Sequence, residues 1–189
     1  MLFSRNTMAG APYGVIYADP PWPSGKRHKG SHIGRTVAPP YPTMKKRELL
    51  EFPVGDLADD RTILVLWSTW MHLDLALQCI EAWGFDYCTG MPWLKVNESG
   101  KISNGLGIWF LNCSEPLLIA KRIAARNPRP ARLGIIIAQR AKRGAGLHSR
   151  KPEEAANWIE SKMPGPYIEL FATKRRRGWT TWGAGHAIR

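Results

Sequence analysis

The chain has 189 residues, 44% of them hydrophobic and 22% charged, enough for one domain with a real core and too few for two comfortable ones. Its formal net charge of +12 sets it apart from an ordinary soluble enzyme and points to a polyanionic partner, nucleic acid ahead of an anionic membrane surface. The longest aliphatic runs, 63–67 and 135–138, are too short to cross a bilayer and no apolar leader opens the chain, so a cytosolic protein without a membrane partner is expected.

Taken in chain order, residues 14–18 form a short apolar run that Asp19-Pro20 stops, the pattern of a strand. An acid-free stretch between Asp19 and Glu48 then carries Lys26, Arg27, Lys29, Arg35, Lys45, Lys46 and Arg47, and its glycines predict a loop able to grip phosphates. Pro39-Pro40-Tyr41-Pro42 precedes a short helix expected over 44–51, and 61–67 reads as a strand covered on both faces. Leu73, Ala76, Leu77, Ile80 and Trp83 recur at helical spacing over 71–83, which Gly84 ends.

Further strands are expected over 85–94, 114–120 and 133–138, the last with a helix as the alternative, and an exposed loop over 127–132. No acid lies between Glu115 and Glu153, where Lys121, Arg122, Arg126, Arg129, Arg132, Arg140, Lys142, Arg143, Arg150 and Lys151 form a second basic segment. Pro152 suits the first turn of a helix reaching Met163, with Glu153 and Glu154 complementing its dipole. A last strand is expected over 167–172, followed by the basic run Lys174 to Arg177. Strands alternating with helices predict a single α/β domain over 1–189, a mostly parallel sheet with flanking helices, and ligands at the carboxyl ends of the strands. Met91, Trp93 and Trp109 are expected in the core, Cys79, Cys88 and Cys113 as buried thiols, and His28 and His32 lack the companions of a metal site.

Asp19-Pro20-Pro21-Trp22 carries the most chemistry. Each proline fixes its own φ and biases the residue before it to extended backbone, and neither offers an N–H. A carboxylate, carbonyl acceptors and an aromatic ring on one stiff arm suit a planar base bearing an amine. Two accepted N–H bonds, at Asp19 and the Pro20 carbonyl, would favour a pyramidal nucleophilic nitrogen and stabilise its developing charge, with Trp22 stacking on the base. The plainer alternative is a strand that ends in a proline turn with Trp22 in the core. Lys151 ahead of a helix N-terminus makes a positive corner suited to a carboxylate, or else a solvated cap-region lysine. Glu169 in an apolar strand needs a partner if buried, and Phe171 is as easily core as ligand wall.

In this order the segments resemble the adenine-N6 methyltransferases related to the catalytic subunit of the eukaryotic messenger-RNA methylase, with their small bacterial and phage relatives. The resemblance covers Tyr13 to Gly183: Asp19-Pro20-Pro21-Trp22, Tyr41-Pro42-Thr43-Met44, Leu66-Trp67-Ser68-Thr69, Trp83-Gly84-Phe85, Trp93-Leu94-Lys95 with the Glu115 strand, His148-Ser149-Arg150-Lys151-Pro152, Ile168-Glu169-Leu170-Phe171-Ala172, and Gly178-Trp179-Thr180-Thr181-Trp182-Gly183. It implies a permuted Rossmann-like methyltransferase fold, S-adenosylmethionine as donor, and an adenine taken from a stack or a single strand. Asp19, Pro20, Pro21 and Trp22 become catalytic. The donor falls to Asp19, His148, Ser149, Lys151, Pro152, Glu169, Phe171, Ala172, Trp182 and Gly183. The acceptor side gains Trp22, Tyr41, Thr43, Trp67 and Ser68, with Lys26, Arg27, Lys29, Arg140, Lys142 and Arg143 on phosphates.

Two departures bear on the donor. Thr173 stands where the family commonly has arginine, which leaves Arg175 or Arg176 to reach the ribose, and Ala184 and Gly185 replace an Asn and its polar partner. The expected acceptor is DNA, in a monomer or homodimer with a heteromeric partner left open. RNA as acceptor, or a donor-deficient nucleic-acid-binding scaffold, are the alternatives.

Overall fold

The computed structural model describes residues 12–23, 42–105, 109–129, 134–140 and 150–183. Seven strands, β1 (Val15–Ala18), β2 (Ile63–Trp67), β3 (Asp86–Val96), β4 (Ser114–Lys121), β5 (Ile136–Gln139), β6 (Tyr167–Leu170) and β7 (Trp179–Trp182), make one sheet in the order β5-β3-β4-β2-β1-β6-β7. Every adjacent pair is parallel except the two that β4 makes, with β2 and β3. Six strands therefore point one way, and β4 runs back between them. The mostly parallel α/β sheet expected from the sequence is observed.

β1 and β2 lie at the centre, and all nine of their residues are buried. Alternation then sorts their side chains into two cores. Ile16, Ala18, Leu64 and Leu66 face α1 (Lys46–Leu50) and α2 (Leu73–Ala82), while Val15, Tyr17, Val65 and Trp67 face α3 (Glu153–Lys162). Pro152 caps α3 with extended backbone, and its φ of −66° is the one its ring imposes. Among the described residues no helix is long and apolar enough to cross a membrane.

Several expectations need correction. The buried stripe of α2 is Leu75, Ala76, Cys79 and Ile80, continued by Trp83, whereas Leu77 is exposed. The apolar face is broad enough for the helix to settle one position round from the spacing first read. Residues 179–182, for which the sequence predicts no strand, are β7. Two tryptophans and two β-branched threonines suit a pleated, half-buried strand, and β6 gives it a parallel partner. Met91 and Trp93 are buried as expected, but Trp109 stands 89% exposed on the excursion between β3 and β4. All three cysteines are free; Cys79 is buried, its thiol pushed up to about 12 by burial, while Cys88 is exposed.

Arg122, counted from the sequence among the phosphate-gripping residues, is turned inward. Its Nη2 donates to the carbonyls of Gly55 and Trp83, both at 3.3 Å, and its guanidinium lies 4.7 Å from the Phe85 ring centroid. Gly84 makes the space: at its φ of +78° a Cβ would meet Arg122 Nη1 at 2.6 Å. Arg122→Ala is expected to cost roughly 1–2 kcal/mol in urea unfolding through these lost contacts, with no change in nucleic-acid affinity.

Candidate active site

β1 ends at Ala18, and Pro20 prevents its continuation, so Asp19 sits at the carboxyl edge of the sheet on the α3 side. Its Oδ2 accepts a hydrogen bond from Lys151 Nζ at 2.7 Å. Lys151 Nζ is also 3.4 Å from Glu115 Oε2, and Lys95 Nζ donates to Glu115 Oε1 at 2.5 Å. Four charges thus alternate along the edge, from β1 to the start of β4 and the end of β3. Their side chains are only 12–27% exposed, a setting in which pairing is required.

Burial pushes the Asp19 carboxyl above the usual carboxylate range, and the Lys151 ammonium reverses this only in part. Burial also opposes the charge on Lys151, but Asp19 and Glu115 outweigh it and hold the ammonium firmly protonated. At Glu115 burial again acts upward, yet Lys151 and Lys95 together bring the carboxyl below its ordinary value. Lys151 further lies 5.6 Å from the Trp67 ring centroid, a favourable cation–π approach.

The proline arm is folded tightly. The Trp22 N–H donates to the Pro20 carbonyl at 2.9 Å, and Met44 N–H donates to the Pro21 carbonyl at 2.9 Å. The Pro20 oxygen assigned to the amine therefore already accepts one bond, leaving its second lone pair. Trp22 is 9% exposed, within the α1/α2 core, and one ring face lies on His72 with centroids 6.0 Å apart and planes at 13°. Its indole N–H is buried without a hydrogen-bond partner. A stacking role on that face would require His72 to give way.

Trp67 and Ser68 do not fit the acceptor role drawn from the sequence. Trp67 is 0% and Ser68 2% exposed, leaving neither a surface for a substrate. The Trp67 indole instead donates to Tyr17 Oη at 2.6 Å as the floor beneath Lys151. Thr43 is half-buried beside Met44, and Arg140 follows β5, half-buried, its N–H donating to the Val96 carbonyl at 3.1 Å. Lys26, Arg27, Lys29, Tyr41, Lys142, Arg143, His148 and Ser149 lie outside the described residues, as do Ala184 and Gly185.

The donor segments meet beside this edge. β6 leads into Phe171, whose φ of 61° is unusual for a residue with a side chain. Ala172 N–H then donates to the Trp182 carbonyl at 2.9 Å. Gly183 lies flat on this turn: a Cβ there would stand 2.2 Å from the Ala172 oxygen and 2.7 Å from the Phe171 carbonyl carbon. Phe171 and Trp182 pack together on Phe52, with centroids 4.9 and 5.2 Å from it.

Glu153, the first residue of α3, pairs with both Lys174 and Arg176 of the β6–β7 connection, the latter at 2.8 Å. Arg176 is therefore tied to the helix, while Arg175 and Thr173 are exposed. Glu169 Oε2 is 3.7 Å from Arg176 Nε, too long for a hydrogen bond, and both atoms are buried without one. Burial raises the Glu169 carboxyl, with Arg176 opposing.

A donor with a carboxylate and ribose hydroxyls fits these residues. Lys151 is a cation ahead of the α3 N-terminus and Glu169 has an unused acceptor, while Gly183, whose missing side chain lets the backbone lie against Ala172, closes the turn beside them. Among the described residues no group of His, Cys, Asp and Glu could hold a metal ion. The sequence assigns no site role to Lys95, Glu115 or His72, and to Glu153 only that of complementing the helix dipole. A charged residue inside an otherwise apolar strand was the available signal for the first two.

The MT-A70 family model matches residues 13–185. The chain is 31% identical over 187 residues to the type II methyltransferase M.MunI of Mycoplasma sp, covering 90% of this chain and 76% of that protein. It is 29% identical over 176 residues to an N(6)-adenosine-methyltransferase MT-A70-like protein of Arabidopsis thaliana, and 28% identical over 180 residues to the METTL3 catalytic subunit of Homo sapiens. These matches cover 90% of this chain but only 23% and 28% of the two eukaryotic proteins.

Proposed function

The chain belongs to the MT-A70 family and is a methyltransferase; from that premise we propose that it methylates the exocyclic amine of adenine in DNA, with S-adenosylmethionine as donor. The observation that carries this reading is Asp19 at the carboxyl edge, hydrogen-bonded to Lys151 and joined through it to Glu115, beside the turn that Gly183 closes. DNA is favoured because the type II methyltransferase is matched over most of its length, whereas the N(6)-adenosine-methyltransferases are matched over a minor part of theirs.

Bound S-adenosylmethionine supplies an electrophilic methyl group on a sulfonium sulfur. Asp19 and the free lone pair of the Pro20 carbonyl accept the two N–H bonds of the amine, turning its nitrogen lone pair towards the methyl. Asp19 also opposes the positive charge that develops on nitrogen. Lys151 holds the donor carboxylate, Glu169 takes a ribose hydroxyl, and Phe171, Ala172, Trp182 and Gly183 form the wall beside them. Placement of nitrogen and methyl carbon in line supplies much of the rate, and no covalent enzyme intermediate is needed.

Asp19 must be ionised to oppose the charge that develops on the amine while it accepts one of its N–H bonds. Since burial raises its carboxyl, kcat/KM is expected to fall on the acid side with a midpoint above the ordinary aspartate value of about 3.9, read from a pH–rate profile. Labelled methyl incorporation into matched DNA and RNA oligonucleotides tests the acceptor: faster incorporation into DNA supports the proposal, and preference for RNA reverses it. A second reading, a nucleic-acid-binding scaffold with a weakened donor site, draws on exposed Thr173 and on the engagement of Arg176 with Glu153. Calorimetry separates the two, because a scaffold gives no donor binding heat.

A further inference from the structure

The connection between β6 and β7 carries four cations in succession, Lys174 to Arg177, and no acid follows Glu169 in the sequence. Its side chains alternate. Lys174 and Arg176 are half-buried and turn to α3, where both pair with Glu153, while Thr173, Arg175 and Arg177 are exposed. α3 holds the connection at a second place, about two turns on, where Glu160 Oε1 accepts from the Trp179 indole N–H at 2.6 Å. Arg175 and Arg177 contribute nothing to this anchoring, since neither makes a hydrogen bond or ion pair among the described residues.

Charge is in surplus here. Arg150 Nη2 is 3.4 Å from Glu153 Oε1, the oxygen that Lys174 also reaches, so three cations share one carboxylate. Glu169 offsets part of the excess through Arg176, at 3.7 Å. Burial, and then the Arg150 and Arg176 guanidiniums, hold the Lys174 pKa below its ordinary value, the response of a cation crowded by cations. The place matters as much as the charge. Arg150 adjoins Lys151 of the charge row, and the connection leaves the carboxyl edge at Ala172, beside the turn that Gly183 closes. Because β7 is parallel to β6, the chain must then return towards the amino edge before Trp179. Exposed cations therefore begin next to the site and lead away from it along α3. Other basic residues lie elsewhere: β4 runs back to the amino edge, where Ala124 N–H donates to the Asp60 carbonyl at 2.8 Å and Arg61 and Arg126 are exposed.

We infer that Arg150, Arg175 and Arg177 form a phosphate-binding strip that grips phosphodiesters on one side of the target nucleotide, with Lys174 and Arg176 as the anchors that present it. Guanidinium forks match phosphate oxygens, and such contacts hold a strand in register without reading its sequence. The groups assigned to the donor, Lys151 and Glu169, lie on the inner side of this connection, whereas Arg175 and Arg177 face outward. The inference rests on the nucleic-acid-methylating reading and adds to it the path by which the acceptor strand leaves the site.

Fluorescence anisotropy of a labelled, adenine-containing DNA against the full chain, over a range of salt, tests the strip. Arg175→Gln/Arg177→Gln is expected to flatten the slope of log affinity against log salt by about 1.4–1.8, and to weaken binding roughly 25- to 60-fold at 0.1 M salt, because each phosphate contact releases about 0.7–0.9 counterion. Donor binding heat should stay unchanged, which also shows that the fold persists. Arg175→Lys/Arg177→Lys keeps the charge and should keep the slope, losing only part of the affinity with the fork. Arg61→Gln/Arg126→Gln removes the same charge from the amino edge and should leave slope and affinity nearly as in wild type. An unmoved slope in Arg175→Gln/Arg177→Gln, or equal flattening by the amino-edge pair, overturns the inference and leaves adenine methylation standing. Lost donor heat with an unmoved slope overturns it too, and moves the arginines to the donor. A flattened slope without any methylated adenine from wild type overturns the reading of the reaction alone, and no binding of wild type to nucleic acid overturns both.

Discussion

Asp19→Ala is expected to lower kcat by at least about a thousandfold while nucleic-acid affinity changes by less than about twofold, since it removes an electrostatic contact made chiefly in the transition state. The fold should survive. Lys151 keeps Glu115 as a partner, and removing Asp19 also removes a carboxylate whose charge burial opposes. Asp19→Asn keeps the side-chain shape and one acceptor oxygen but not the charge, so its rate should fall between the two. Single-turnover methylation, with thermal unfolding and donor calorimetry as controls, measures the effect. A variant that binds donor normally and retains near-normal turnover removes Asp19 from the reaction.

Lys151→Met is expected to raise the donor KM by roughly a hundredfold, the loss of a charge-assisted contact to a carboxylate in a half-buried corner. A second effect separates this from simple damage. The Lys151 ammonium is the main influence pulling the Asp19 carboxyl down, so without it burial acts on Asp19 unopposed by that charge. The Asp19 pKa rises, ionisation requires higher pH, and the acid limb of the kcat profile moves upward. Activity at pH 6 should therefore suffer more than activity at pH 8. Glu115 loses one of the two ammoniums that hold its carboxyl down, so the variant should be less stable than wild type near neutral pH, with the deficit shrinking as pH falls and the carboxyl is protonated. A higher donor KM with an unmoved pH profile separates the donor contact from the tie to Asp19.

Much of this site is local in sequence, and that part was legible. A strand stopped by Asp-Pro-Pro, a proline at the head of a helix and an apolar run ending at Phe171 are set by the nearest few residues. The buried central strands also announced themselves, because β1 and β2 are covered on both faces and need no alternation to be read. β7 did not, since four residues of Trp and Thr carry strand propensity but only the register with β6 makes them a strand. Trp109 misled for the opposite reason: aromatic composition predicts burial, yet the residue belongs to an excursion that leaves the sheet edge.

The charge row was legible only in pieces. Lys95 and Glu115 sit in neighbouring antiparallel strands, and Lys151 meets Asp19 across 132 positions of the chain. No periodicity records such pairings, which follow from strand order. Arg122 and Arg176 show the same limit for cations. From the sequence Arg122 belongs to a basic segment and Arg176 is a candidate for the donor ribose, but Arg122 satisfies two backbone carbonyls and Arg176 anchors the β6–β7 connection to α3.

The central claim is that Asp19 and Lys151 serve methyl transfer to an adenine amine. Its most direct test is mass spectrometry of nucleosides digested from DNA and RNA after incubation with the protein and S-adenosylmethionine bearing a deuterated methyl. The account predicts N6-methyladenine carrying three deuterons, formed by the wild type and not by Asp19→Ala. A deuterated methyl on cytosine or on a ring nitrogen, or equal N6-methyladenine from Asp19→Ala, would contradict it.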